Sequence, residues 1–277
     1  MTAMHSGLPV ALTIAGSDSG GGAGIQADLK TFAALGAFGT SAITAITAQN
    51  PDGVTAIQAI DPPVVGAQIA AVLDYFPVGA AKTGMLFSAE VIGAVADALA
   101  AAAARHGPLP LVVDPVMVAT SGAKLLADDA IGALQERILP LANLVTPNMA
   151  EAALLAGRPV ETEADLGEAA RAIGERYGVA VLVKGGHLPD AAEAVDALWH
   201  EGRLETFRSP FLRHVSAHGT GCTLSAALAV YLLRGFGLPA AVRQAKDYLH
   251  AALAAALPAG RGLVLNHGHA PQPLNLM

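Results

Sequence analysis

Short apolar runs alternate along this chain with longer segments in which apolar residues recur every three or four positions. Residues 10–15 are continuously apolar, which is typical of a strand buried on both faces. Residues 25–35 carry their apolar side chains on one helical face and are followed by Gly36, a common helix terminator. Repeated strand and helix in this order predicts an α/β fold with a mainly parallel sheet covered by helices on both faces.

The same periodicities extend to the rest of the chain. The pair at 40–48 and 54–60 is separated by a turn and predicts a small β flap, and the pair at 195–199 and 204–207 predicts an antiparallel hairpin added to the sheet. We assign residues 1–9 to an N-terminal extension, 10–258 to one domain and 259–277 to an irregular tail. Further strands are predicted at 78–83, 111–114, 144–146 and 179–184, and helices at 63–76, 88–105, 128–139, 221–234 and 239–257 and from 148 and 162.

Composition limits the kind of partner. The chain has 277 residues, of which 53% are hydrophobic and 14% charged, and its net charge of −7 argues against a nucleic-acid surface. A single cysteine excludes an intrachain disulfide, and no apolar run is long enough for a membrane span. The first residues lack the features of a secretion signal. We therefore expect a cytoplasmic protein that binds a small molecule, without a nucleic-acid or membrane partner.

One stretch carries candidate chemistry. The residues from His218 to Cys222 read HGTGC and open a long apolar helix. A glycine-rich helix start presents backbone N–H groups at the positive end of the helix dipole, where an anion can bind. The same field favours a thiolate at Cys222. Taken alone, the stretch also fits a glycine-tolerant helix start with an inert cysteine. The glycine loop at 16–24 follows a strand, but it lacks a clean dinucleotide-binding fingerprint.

Seven ordered stretches, taken together, carry a resemblance. The chain resembles the hydroxymethylpyrimidine/phosphomethylpyrimidine kinases of thiamine biosynthesis, within the ribokinase-like superfamily, over residues 12–257. This resemblance implies a three-layer fold, a homodimer, and transfer of phosphate from ATP with Mg²⁺ to the pyrimidine's hydroxymethyl oxygen and then to the monophosphate. The stretches are AGSDSGGGAGIQADLKTF (15–32), TAQNPDGV (47–54), KTGML (82–86), DPVMVATSG (114–122), TPNMAEA (146–152), VKGGH (183–187) and HGTGCTLSAA (218–227).

The resemblance assigns the phosphoryl-transfer groups. Cys222 matches the position proposed as the base toward the substrate hydroxyl, and the amides of Gly219, Thr220 and Gly221 would hold the transferring group. Lys184 matches the residue for the nucleotide phosphates.

The resemblance also assigns the metal environment. Asn148 and Glu151 match an N-x-x-E element that acts on Mg²⁺ and its waters, although an N-cap with a first-turn glutamate explains the same letters. Asp114 resembles a second acid near the metal, and a turn carboxylate is the alternative.

The resemblance also points to substrate contacts. The amide of Gln49 can pair with the ring nitrogen and exocyclic amine of an aminopyrimidine, and Gly16, Met85 and Val116 match the pocket wall. Asp28 either reaches the ligand or is a solvated or capping charge. Structural roles are expected for His187, His214 and His218, because no metal spacing links them. The tail sequence at 266–269 suggests no catalytic role.

Two other functions remain open. A pyridoxal or pyridoxine kinase of the same fold would phosphorylate a hydroxymethyl group on a different heterocycle. A non-catalytic protein that binds a nucleotide or a vitamin precursor would use the same pocket, but it would have no need for Lys184, Glu151, Asp114 and Cys222 together.

Overall fold

A computed structural model describes residues 7–117, 126, 128–186, 188, 193–212 and 218–275. Within these residues, eight strands form the main sheet in the order β10-β9-β8-β7-β6-β5-β1-β2. Strands β2, β1, β5, β6, β7 and β8 run parallel, and β9 and β10 extend one edge in antiparallel fashion. Strands β3 and β4 pair separately as the flap.

The elements follow the predicted alternation closely. The strands are β1 (Val10–Ala15), β2 (Phe38–Ile43), β3 (Ala45–Asn50), β4 (Gly53–Ala59), β5 (Val78–Thr83), β6 (Leu111–Val113), β7 (Leu144–Val145), β8 (Ala180–Gly185), β9 (Glu193–His200), β10 (Arg203–Pro210), β11 (Leu257–Ala259) and β12 (Gly262–Val264). The helices are α1 (Gly24–Ala34), α2 (Pro62–Tyr75), α3 (Ala89–His106), α4 (Asp128–Ala133), α5 (Met149–Ala156), α6 (Glu163–Tyr177), α7 (Thr220–Leu233) and α8 (Leu238–Ala254).

Alternate side chains along the strands point to opposite faces of the sheet and pack into two hydrophobic cores, one on each face. On β1, Leu12 and Ile14 pack toward α2 to α6, whereas Ala11 packs toward α1, α7 and α8. Helix α7 is buried along most of its length, since its residues from Thr223 to Tyr231 are all buried. The predicted three-layer α/β arrangement is confirmed, and it fixes the first turn of α7 against the sheet.

Three segments differ from the sequence prediction. Residues 40–48 form two strands because the chain bends at Thr44, whose amide still donates to the Ala15 carbonyl at the end of β1 (3.1 Å) and whose hydroxyl donates to the Met85 carbonyl (2.7 Å). The predicted helix at 128–139 is α4 followed by a π-helical turn and a 3₁₀ turn. The tail is not wholly irregular, since β11 and β12 form a hairpin in it.

The strand order changes direction between β1 and β5. After β1 the chain continues to β2 at one edge of the sheet, and after β5 it continues to β6 and toward the other edge. Strand β1 lies between β2 and β5, so the loops that follow β1 and β5 diverge and leave a crevice at their carboxyl ends. Gly16 and Met85 follow these two strands and meet there, with the Gly16 amide 3.1 Å from the Met85 carbonyl. Among the described helices, none combines the length and apolar character needed to cross a membrane.

Candidate active site

The first turn of α7 has the geometry expected of an anion site. Gly219 is the N-cap residue with φ of +81°, a left-handed conformation that favours glycine, and no described side chain caps the helix there. A Cβ on Gly219 would lie 1.7 Å from the Gly22 carbonyl oxygen, so no other residue fits. The first turn therefore points its N–H groups away from the helix at the positive end of the dipole.

A lysine and an aspartate lie beside this turn. Asp114 follows β6, Lys184 lies near the end of β8, and their side chains are 2.8 Å apart. A Cβ on Gly221 would lie 3.2 Å from Lys184 Nζ and 3.4 Å from Asp114 Oδ2, so glycine allows this close approach. Burial disfavours the Lys184 charge, but attraction by Asp114 and Glu151 raises its pKa above the ordinary value. Lys184 is therefore a protonated lysine that its ion pair with Asp114 fixes beside the first turn of α7.

Asn148 and Glu151 form a capping box at the start of α5. The Asn148 side chain accepts from the Glu151 amide (2.9 Å), and the Glu151 carboxylate accepts from the Asn148 amide (2.8 Å). Glu151 also accepts from the Met117 amide (3.3 Å). Burial raises the pKa of Glu151 to about 7, and repulsion from Asp114 adds to this while Lys184 opposes it. The capping explanation of these letters is thus present in the structure, and the carboxylate also faces the charged cluster.

Two of the predicted pocket residues meet at the crevice. A Cβ on Gly16 would lie 2.5 Å from Met85 Cε, so Gly16 leaves the room that the Met85 side chain occupies. Met85 and Val116 are both partly exposed. Gln49 is also partly exposed, and its side-chain oxygen lies 3.4 Å from the Thr47 hydroxyl.

The alternative of a solvated or capping charge at Asp28 is wrong, and the carboxylate has no exposed surface from which to reach a ligand. Asp28 and Lys82 have no exposed side-chain surface and pair at 2.9 Å, and Thr13 donates to the Asp28 carboxylate at 2.6 Å. Burial alone would lower the pKa of Lys82, but attraction by Asp28, Cys222 and Asp114 raises it. Asp28 therefore fixes the Lys82 ammonium group close enough for its charge to act on the Cys222 thiol.

The thiolate expected at Cys222 is also wrong. Cys222 is half-buried, and burial raises the pKa of its thiol to about 11. Attraction by the Lys82 charge and a hydrogen bond with the Gly24 backbone oppose this rise in pKa, while repulsion from Asp28 and Asp114 adds to it. Desolvation, with the two carboxylates, thus outweighs Lys82 and the Gly24 hydrogen bond, and the thiol is protonated at neutral pH.

Sequence reasoning missed two contacts of this turn. The structural role expected for His218 includes a contact that the motifs did not predict, since its Nε2 lies 3.0 Å from Asp18 Oδ2 in the glycine loop. His267 of the tail is buried, with Nε2 3.0 Å from the Thr223 hydroxyl in the first turn of α7. Two features of the sequence could have indicated these contacts: an aspartate inside a glycine-rich loop, and histidines directly followed by glycine. His187 and His214 lie outside the described residues.

The arrangement defines a class. A mainly parallel α/β sheet of ribokinase-like architecture, with an anion-binding helix start, a lysine and carboxylates at its carboxyl edge, is that of a small-molecule kinase.

Comparison with known proteins identifies the family. A family model described as phosphomethylpyrimidine kinase matches residues 18–268. A hydroxymethylpyrimidine/phosphomethylpyrimidine kinase of Rhizobium meliloti is 52% identical over 94% of this chain and 97% of its own length. This chain belongs to the phosphomethylpyrimidine kinase family, as the resemblance predicted.

Solved structures agree on the fold. A Bacillus subtilis pyridoxal kinase in complex with ADP superposes with a TM-score of 0.86 at 36% identity, covering 95% of this chain and 98% of that one. A phosphomethylpyrimidine kinase from Clostridium difficile gives 0.76 at 40% identity, covering 87% and 98%. The ribokinase-like fold and the kinase class are confirmed.

Proposed function

We propose that this chain transfers the γ-phosphoryl group of ATP to the hydroxymethyl oxygen of 4-amino-5-hydroxymethyl-2-methylpyrimidine, and then a second phosphoryl group to the resulting monophosphate. In each step an O–P bond to the acceptor forms, the bond to ADP breaks, and the first acceptor loses its hydroxyl proton. The convergence of Lys184, Asp114 and Gly221 on the first turn of α7 carries this proposal.

The protein's own groups supply position and charge. The amides of Gly219, Thr220 and Gly221 stabilise the charge that spreads over the transferring oxygens, and Lys184 neutralises the nucleotide phosphates. Because the thiol of Cys222 has a pKa of about 11, it is protonated while the hydroxyl approaches. A neutral thiol cannot accept the hydroxyl proton, so Cys222 orients the hydroxyl, and the proton passes to an oxygen of the transferring phosphoryl group late in a loose transfer.

The donor set fits a magnesium ion. Among the described residues, no three His, Cys, Asp or Glu side chains converge as a complete metal cage. Magnesium is ordinarily held by one or two carboxylates together with substrate phosphates, and Asp114 and Glu151 supply such oxygens beside Lys184. When bound, Mg²⁺ neutralises charge on the phosphate oxygens. We assign Asp114 and Glu151 to it, with Asn148 orienting Glu151.

Sequence similarity favours the pyrimidine over pyridoxal. The Rhizobium meliloti relative is named for the pyrimidine at 52% identity, and the B. subtilis pyridoxal kinase is 36% identical. That pyridoxal kinase nevertheless shares the fold over nearly the whole chain, so pyridoxal belongs in the assay as the second substrate.

We also propose a cytoplasmic homodimer. Ile46, Val54 and Ile57 of the flap are between 39% and 44% exposed, and a second copy of the chain would cover them. Light scattering of the purified protein should give twice the chain mass, and replacing Ile46 and Ile57 with serine should give monomers.

A coupled ADP-release assay tests the proposed function. The pyrimidine and its monophosphate should support ADP production, and pyridoxal should do so more slowly. Gln49→Ala should raise KM for the pyrimidine more than KM for ATP, because the amide pairs with the ring. Gln244→Ala, at an exposed position of α8 away from the flap, is the matched control. Faster turnover of pyridoxal would reassign the substrate, and no ADP with any alcohol would favour a binding protein.

A further inference from the structure

Two glycine-rich segments 200 positions apart are joined beside the anion-binding turn. Nε2 of His218 lies 3.0 Å from Oδ2 of Asp18, whose side chain is 1% exposed. His218 comes directly before Gly219, so this contact fixes the residue that leads into the first turn of α7.

The carboxylate of Asp18 also holds its own loop together. Its oxygens accept hydrogen bonds from the backbone amides of Gly20 (2.8 Å), Gly22 (3.1 Å) and Ala23 (2.8 Å). Burial opposes ionisation, but these bonds and the one with His218 lower the pKa of Asp18 below its ordinary value. The carboxylate is therefore charged at neutral pH, and its hydrogen bonds to charged acceptor oxygens are stronger than neutral ones.

Close packing fixes the relative position of the two segments. A Cβ on Gly22 would lie 2.7 Å from Cδ2 of His218, and a Cβ on Gly219 would lie 1.7 Å from the Gly22 carbonyl oxygen. Neither segment can move toward the other, and the hydrogen bond between Asp18 and His218 resists their separation.

The other side of the loop is joined to the strand that carries Gln49. The Ser19 hydroxyl donates to the Gln49 carbonyl (2.7 Å) and accepts from the Gln49 amide (2.8 Å). The Thr47 hydroxyl donates to the Ser17 carbonyl (2.7 Å). The loop thus connects the proposed ring-reading residue on β3 to the phosphate-binding turn on α7.

We propose that Asp18 and His218 form a positioning pair that sets the distance between the substrate hydroxyl, held from the Gln49 side, and the phosphoryl group held by the first turn of α7. This inference rests on the proposed kinase function. Transfer requires the reacting atoms to be about 3 to 3.5 Å apart, and a displacement of about 1 Å can reduce the rate roughly 100-fold. Neither residue needs to touch the substrate for this effect.

Steady-state kinetics separate positioning from folding. His218→Phe keeps the ring but removes the hydrogen bond, and should lower kcat roughly 10- to 100-fold with KM for both substrates within about threefold of wild type. His218→Gln retains an N–H donor that can reach Asp18, and should recover most of kcat. His106→Phe, which removes a histidine paired with Asp74 at the end of α3, is the matched control and should leave kcat unchanged.

A normal kcat per correctly folded molecule of His218→Phe would overturn the positioning role, as would equal losses in His218→Gln and His218→Phe. The acceptor is whichever alcohol the wild-type enzyme phosphorylates, so failure of the pyrimidine assignment does not decide this question.

Amide hydrogen exchange provides a readout that needs no turnover. In His218→Phe, the segments 16–24 and 218–222 should lose protection together, and Asp18→Asn should affect the same two segments. Loss of protection in only one of them would contradict the proposed coupling.

Discussion

Two lysine–aspartate pairs lie close to Cys222, and they differ in their access to solvent. Lys82 on β5 pairs with Asp28 of α1, and both side chains are 0% exposed. Lys184 on β8 pairs with Asp114 after β6, and their side chains are 15% and 4% exposed. The charges of both lysines act on the thiol of Cys222.

This difference separates a fully enclosed pair from the one that we propose to act in phosphoryl transfer. The Asp28 carboxylate accepts from Lys82 and Thr13 within the protein, so the inner pair is satisfied without a ligand. The outer pair lies against Gly221 in the anion-binding turn, and part of Lys184 remains accessible. Similar ion-pair chemistry is therefore closed within the protein in one case and partly open to solvent in the other.

Breaking the inner pair should have the largest effect. Lys82→Met leaves the Asp28 carboxylate buried without its counter-ion, and should cost about 3 to 5 kcal/mol in the free energy of unfolding. Urea denaturation followed by circular dichroism measures it. The double variant Lys82→Met/Asp28→Leu should recover much of this loss, because the pair can be replaced by apolar groups. A single variant as stable as the wild type would show that Asp28 takes up a proton cheaply.

Breaking the outer pair should affect turnover instead. Lys184→Gln removes the cation beside the transferring group and should lower kcat roughly 10²- to 10³-fold, the size seen when one charge-stabilising donor is lost. The free energy of unfolding should fall by less than in Lys82→Met, because part of the Lys184 side chain remains exposed to solvent whereas Lys82 is fully buried. ADP release and urea denaturation, measured on the same sample, check both parts. A large loss of stability with normal turnover would reverse the assignment of the two pairs.

The sequence predicted much of this site, but not which pair is which. Periodicity placed β5 and β8 and the glycine turn before α7, and the motifs supplied Lys184, Asp114 and Glu151. Periodicity alone could not separate Lys82 from Lys184, because both are single lysines near the ends of apolar strands, and only the resemblance singled out Lys184. The distinction depends on α1, which brings Asp28 under Lys82, and on Gly221, which leaves space beside Lys184.

The sequence pattern did not predict that the Cys222 thiol is protonated, for a related reason. A helix start alone favours a thiolate, and that argument used only local sequence. Asp28 and Asp114 reach the thiol from distant parts of the chain and add to the effect of burial. Long-range charge is therefore what the sequence pattern could not supply.

Glu151 extends the outer pair and should give it a pH dependence. Its pKa in the folded protein is about 7 against an ordinary value of 4.5, so the folded state holds a proton that the unfolded chain has already released between these values. The stabilisation that this proton provides is fully present below pH 4.5 and is lost as pH rises through about 7. This loss lowers the free energy of unfolding by about 1 to 3 kcal/mol.

The variant Glu151→Gln removes this titration. The free energy of unfolding of the wild type should fall between about pH 5 and about pH 8 by more than that of the variant, because the variant has no proton to release there. Denaturation curves across this range measure the difference. Asp165→Asn, which alters the exposed capping box of α6, is the control and should not flatten the profile in this way. Parallel profiles for wild type and Glu151→Gln would mean that Glu151 is ionised throughout.

The smallest effect concerns the proton on Cys222, which lies between the two pairs and can be followed without disturbing either. With a thiol pKa of about 11, alkylation by iodoacetamide should be slow at neutral pH and should rise about tenfold per pH unit without a plateau up to about pH 10, because only the thiolate reacts. Mass spectrometry of the labelled protein gives the rate, and Cys222→Ala identifies any background, since the chain has no other cysteine. A plateau near neutral pH would mean that Lys82 and Lys184 outweigh Asp28, Asp114 and burial, and would restore Cys222 as a base. Alkylation that continues to rise leaves the hydroxyl oriented by a neutral thiol, with the two lysines supplying the positive charge around it.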